Sequence, residues 1–182
     1  MRIVIAENYA ELSEKATNDL LEIVKDKKEP VVCTASGDTP AGMYKVLVEK
    51  VCNRQANVNG WYFLGFDEWG GMNADSEGSC RWHLNNQLFH PLKPAEDHIA
   101  FFDGKADLES ECDRIENFIG QHGIDVSILG LGMNGHIGMN EPGTPVSSRT
   151  HVSELDPITA QVGQKYFKTA ADLKNGITLG IA

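Results

Sequence analysis

Residues 130–145, GLGMNGHIGMNEPGTP, gather an unusual density of groups that can do chemistry. Gly130, Gly132 and Gly135 satisfy the GxGxxG spacing of a dinucleotide-binding turn, and Glu154 stands about where the ribose acid of that fingerprint belongs. The fingerprint must open a helix, however, and Pro142 and Pro145 stop any helix before its second turn is complete. The other reading is a tight, glycine-rich loop that holds His136 beside Glu141. Histidine gives and takes protons near neutral pH. A nearby carboxylate fixes its tautomer and raises its basicity, and Asn134 can orient it without adding charge. A lone histidine is more often structural, but one held in such a loop, next to an acid, reads as catalytic.

Two other stretches carry candidate chemistry. In SGDTP, residues 36–40, Ser36 and Thr39 supply hydroxyls and Gly37 allows close backbone approach. Thr39 reads as the N-cap of a following helix, whose free N–H groups and positive end suit a phosphate. A plain capped helix start explains the same five residues. Asp67 and Glu68 close a third apolar run; adjacent residues on a strand point to opposite sides, so one carboxylate can face a crevice as a general base. A solvated loop start is the competing reading. Lys165 follows on a predicted helix within reach of an anion, although a lysine there can equally be solvated. His83, His90, His98, His122 and His151 show no metal-ligand spacing, so no catalytic metal is expected.

The elements that would position these groups alternate. Residues 2–6 are β-branched and read as a buried strand. Asn8 with Glu11 is capping-box-like, and Leu12, Ala16, Leu20 and Val24 follow at helical spacing. Strands are expected in EPVVCTA, WYFLGFDEW, HIAFF, DVSILGLG, RTHVSEL and GITLGIA. Helices are expected in TPAGMYKVLVEKV, with Pro40 in its first turn, in SCRWHLNNQLF, in residues 107–122 with Gly123 just past the end, and in PITAQVGQKYFKTA. Strands alternating with helices imply an α/β, Rossmann-like three-layer fold: a mostly parallel sheet covered by helices on both faces. Ligands bind such sheets beyond the carboxyl ends of the strands. SGDTP, DEWGG and GMNGH each follow an expected strand, so three unusual loops should converge on one edge.

A chain of 182 residues suits a single domain. A formal net charge of −10 argues against nucleic acid or anionic membrane as the main partner, but leaves room for a locally positive pocket and an anionic small substrate. The four cysteines, Cys33, Cys52, Cys80 and Cys112, form no CxxC pair and read as reduced thiols. With no apolar leader or membrane-length run, the expected location is cytoplasmic. Ala182 falls inside an expected strand, which suggests a chain continuing further in its natural form.

Together the segments SGDTPAGMY, FDEW, GLGMNGHIGMNEPGT and SSRT resemble the glucosamine-6-phosphate deaminase (isomerase) family, which is related to the 6-phosphogluconolactonases. The resemblance covers essentially the whole chain, and NGHIGMNEPG is its most specific part, since lactonases usually lack NEPG. It implies an enzyme that converts an amino-sugar 6-phosphate, either glucosamine or galactosamine 6-phosphate, to the ketose 6-phosphate and ammonia, with no cofactor. It implies Asp67 as the base that moves a proton between C2 and C1, His136 as the group acting at the ring oxygen, and Glu141 as the residue orienting His136. It implies a phosphate loop of Ser36, Gly37, Asp38 and Thr39 with Lys165 as a cationic ligand, and a lid within residues 147–165. Departures from the family pattern are Asn134 in place of a relay aspartate, Trp69 for a common tyrosine, Lys165 for a common arginine, and the absence of a C-terminal strand–helix portion with a phosphate-binding lysine. Lactone hydrolysis and non-catalytic sugar-phosphate sensing are the alternatives; a homo-oligomer is compatible with either.

Overall fold

The computed structural model describes residues 2–182. Four parallel strands, β1 (Val31–Thr34), β2 (Tyr62–Gly65), β4 (Ile99–Ala100) and β5 (Val126–Ile128), form one sheet in the order β4-β2-β1-β5. Helices cover both faces. On one side α1 (Tyr9–Val24), α2 (Asp38–Cys52) and α3 (Cys80–Leu84) pack around Tyr44, Leu47, Phe63, Leu84 and Leu88. On the other, α5 (Leu108–His122) sets Cys112 and Ile115 against Val31, Cys33 and Leu64. Alternate residues of β1 therefore feed opposite cores, as a strand's period of two requires. The continuous apolar run of β1 is the mark of a strand buried on both faces.

Local signals place most helices. Asn8 caps α1 by accepting from the Glu11 N–H at 3.0 Å, and Glu11 reaches back to the Glu7 N–H at 2.6 Å. Asp107 caps α5, which ends at Gly123 with φ of 72°. The helix expected in SCRWHLNNQLF starts as α3, passes through a π-helical turn at Asn85–Phe89 and finishes as the short α4 (His90–Leu92).

Four expectations need correction. Residues 2–6 form no strand and pair with neither edge of the sheet, and Ile3 and Ile5 are 76% and 84% exposed. β-branched residues favour extended backbone, but only a neighbouring strand makes it a buried strand. WYFLGFDEW is two strands: the chain breaks at Phe66, and β3 (Asp67–Trp69) leaves the parallel sheet. It joins a second, antiparallel sheet of order β3-β7-β6, with β6 (His151–Glu154) and β7 (Asn175–Thr178). The final helix is shorter than expected: α6 spans Pro157–Gly163 and tightens into a 3₁₀ turn at Gln164–Tyr166. Thr39 is not the cap of α2; Gly37 is, with φ of 110°, and no side chain caps it.

Candidate active site

The three loops converge as expected. Ser36, Asp38 and Thr39 after β1, Asp67 after β2, and Gly132 and His136 after β5 line one cavity of about 320 Å³. Trp69, Met139 and Cys80 supply its inner wall, and Ile158, Thr159, Val162, Lys165 and Tyr166 close its outer side. Gly37 underlies the first group; Asn134 and Glu141 stand behind His136.

The sheet switch at Phe66 brings Asp67 here. Phe66 still bonds to the parallel sheet, donating to Thr34 O at 3.0 Å, while its carbonyl accepts from the Leu179 N–H just past β7 at 2.9 Å. Asp67 is only 9% exposed. Burial raises its carboxyl to about 6, opposed by a hydrogen bond from the Cys80 thiol. A carboxylate poised near neutrality in a partly apolar cavity fits a general base. Glu68 faces the other way and is fully buried. Burial lifts it to about 7 against three backbone N–H donors from Trp69, Cys80 and Arg81. Its role is to tie β3 to the start of α3.

The Gly130–Gly135 spacing forms turns and no helix, so the dinucleotide reading fails on structure as well as on sequence. The loop folds on itself: Gly132 N donates to His136 O at 2.9 Å, and Gly135, with φ of 88°, donates to Gly132 O at 3.0 Å. Gly132 is needed because the His136 ring lies directly over its Cα; any Cβ there would overlap Nε2. Behind the ring, Glu141 Oε2 is 3.5 Å from His136 Nδ1. Asn134 bonds to both residues: its Nδ2 donates to Glu141 Oε2 at 2.9 Å, and its Oδ1 accepts from the His136 N–H at 3.2 Å. Thr159, which the sequence reading missed, bridges the two, 2.9 Å from His136 Nδ1 and 3.0 Å from Glu141 Oε2. It comes from α6, with no motif to flag it.

At the other end of the cavity α2 points its uncapped N-terminus inward. Tyr9 fixes the first turn from behind, donating to Asp38 O at 2.6 Å and accepting from Gly42 N at 2.7 Å. Free N–H groups and the helix dipole suit a negatively charged group here. Lys165 reaches this helix end, but its partner here is Asp38, at 2.6 Å. Tyr166, a second residue missed from sequence, brings its hydroxyl to the Asp38 backbone N–H and against Gly37. So α6 and its 3₁₀ turn cover this helix end with Lys165 and Tyr166 and touch the histidine with Thr159.

Comparison with known proteins shows the family to which the chain belongs. Residues 5–156 match the family model described as glucosamine-6-phosphate isomerases/6-phosphogluconolactonase. The glucosamine-6-phosphate deaminase of Bacillus velezensis is 37% identical over 184 residues, covering 100% of this chain and 76% of the relative. That of a Geobacillus species is 38% identical over 185 residues, covering 100% of this chain and 74% of the relative. A solved monomeric glucosamine-6-phosphate deaminase superposes with a TM-score of 0.95 at 33% identity, over 100% of this chain and 76% of that one. The 6-phosphogluconolactonase of Thermotoga maritima, with a TM-score of 0.74 at 20% identity over 98% of this chain and 76% of that one, shares the fold. With its three loops gathered on one cavity and this degree of likeness over its length, the chain belongs to the glucosamine-6-phosphate isomerase/6-phosphogluconolactonase family.

Proposed function

We propose that this chain is a glucosamine-6-phosphate deaminase that isomerises the sugar and releases ammonia, and that the residues around the cavity carry the reaction. The substrate phosphate sits at the N-terminus of α2, within Ser36, Gly37, Asp38 and Thr39, and draws Lys165 away from Asp38. His136 acts at the ring oxygen to open the pyranose, with Glu141 and Asn134 orienting it. Asp67, as carboxylate, removes the proton from C2 of the open-chain aldehyde in its C2-ammonium form, while an ammonium hydrogen passes to O1. The resulting enolamine takes the C2 proton back from Asp67 at C1. The product is the C2 iminium of the ketose, and water adding at C2 expels ammonia. Electrons only move within the substrate, so no redox partner is required. Residues 147–165, with α6, act as the lid that admits the sugar.

The observation that carries this reading is the placement of Asp67. Lactone hydrolysis needs a phosphate seat and a histidine but no carbon base, whereas here a buried carboxyl with a raised pKa lines the same cavity as His136. Galactosamine 6-phosphate differs at C4 and would use the same machinery. The test offers glucosamine 6-phosphate, galactosamine 6-phosphate and 6-phosphogluconolactone separately and follows ammonia or lactone loss. Ammonia from glucosamine 6-phosphate supports the reading; lactone hydrolysis without ammonia from either amino sugar would replace it.

A further inference from the structure

One hydroxyl decides where the hydrogen lies between Glu141 Oε2 and His136 Nδ1. The direct approach of His136 Nδ1 to Glu141 Oε2, 3.5 Å, is too long for a good hydrogen bond. Thr159 Oγ1 lies between them, at 2.9 Å from the nitrogen and 3.0 Å from the carboxylate, and Thr159 is 5% exposed. An ionised carboxylate only accepts. It takes one hydrogen from Asn134 Nδ2, and it takes the single hydroxyl hydrogen of Thr159. The hydroxyl then has only lone pairs to offer His136, so the neutral imidazole must carry its hydrogen on Nδ1. Nε2 is left with the lone pair on the side of the ring that lies over Gly132, and both residues line the cavity.

We propose that Thr159 is a positioning residue that, wedged between Glu141 and His136, holds neutral His136 as the Nδ1–H tautomer and presents the Nε2 lone pair to substrate. What that lone pair then does rests on the proposed function. For the closed sugar it takes the hydrogen of the C1 hydroxyl and returns it to the ring oxygen as the C1–O bond of the ring breaks and the C1 carbonyl forms. The tautomer itself is a property of the free protein, independent of any substrate. The placement also makes the state of His136 depend on α6, the element that covers the phosphate seat.

The experiment is ¹⁵N NMR of the histidine-labelled, substrate-free chain across the imidazole titration, with His136 assigned by loss of its signals in His136→Gln. Above the titration the wild type should show a protonated Nδ1 and a pyridine-like Nε2 at His136. Thr159→Val, close in shape but without the hydroxyl, should lose that preference and move toward a mixture of tautomers. Thr159→Ser should restore it, and Thr159→Ala gives the answer should the valine variant not fold. A wild-type His136 protonated on Nε2, or hydroxyl-free variants with an unchanged pattern, would overturn the proposal. In turnover, loss of the hydroxyl should lower kcat roughly 10- to 100-fold with little change in KM, by analogy with the loss of a group that orients a metal-ligating histidine. A wild type with the expected tautomer but no ammonia release would sink the deaminase reading and leave Thr159's role standing.

Discussion

Asp67 and Glu68 are consecutive in β3 and serve opposite sides of it: Asp67 lines the cavity, while Glu68 is buried against the first N–H groups of α3. One strand thereby carries a candidate base and the clamp that fixes it. Replacing Glu68 with alanine leaves three buried N–H groups without their acceptor. We expect a loss of at least about 3 kcal/mol, read as a lowered urea midpoint. An unchanged midpoint would show that water takes over the bonds.

Asp67 links stability and activity to pH with opposite signs. Its folded pKa, about 6, lies above the ordinary 3.8, so the stability it contributes is present below pH 3.8 and lost as pH rises through about 6. Asp67→Asn should therefore be more stable than wild type at pH 8, by about 3 kcal/mol at 1.36 kcal/mol per pKa unit, and the gap should close between pH 6 and 4. Activity runs the other way, because a base must be ionised. The wild-type kcat/KM should rise through about pH 6, after correction for the titration of the substrate's own phosphate. Parallel unfolding curves at pH 8 and pH 4 would contradict the burial argument.

His136→Gln should slow the reaction of the closed sugar by about 10²- to 10⁴-fold, the range for removing a positioned proton-transfer group. An open-chain analogue should lose far less, since its ring needs no opening. Equal losses on both would remove His136 from the ring-opening step.

Gly132→Ala tests the loop itself. A Cβ at Gly132 overlaps the imidazole, so the ring must move, at about 1–3 kcal/mol for overpacking and with a drop in kcat near that of His136→Gln. Gly130→Ala, where a Cβ meets open space, should keep most activity. If the two variants behave alike, the glycine does not set the position of His136.

Lys165→Met should raise KM for the sugar phosphate about tenfold and leave kcat closer to wild type, because lysine is one point charge beside a helix terminus that supplies its own donors. The rise should shrink at high salt, where the lysine of the wild type is screened. A fall in kcat with KM unchanged would place Lys165 in the chemistry instead.

Much of this was legible in the sequence for definite reasons. Asn8, Asp107 and Gly123 announce helix ends through local geometry, and the apolar runs of β1 and β2 announce doubly covered strands. The convergence of Ser36 and His136 follows from parallel topology, since both loops leave the same end of the sheet, and Asp67 joins them through the switch of sheets at Phe66. Tertiary pairing was not legible. FLGFDEW looks like one strand, because nothing local to Phe66 says that Asp67 will pair with Thr178. Residues 2–6 have strand composition but no partner, and composition does not encode one. Thr159 and Tyr166 escaped because a single hydroxyl on a short helix carries no periodic or motif signal; only the register of α6 against the glycine loop brings Thr159 to His136. The Lys165–Asp38 pair was hidden for the same reason, by a sequence separation of 127.

The most direct test of the account is ammonia release from glucosamine 6-phosphate by the wild-type chain and by Asp67→Asn, run side by side with a binding measurement for the same sugar phosphate. Stoichiometric ammonia and ketose 6-phosphate are expected from the wild type, and almost none from Asp67→Asn despite retained binding. No ammonia from the wild type, or equal ammonia from both, would contradict it.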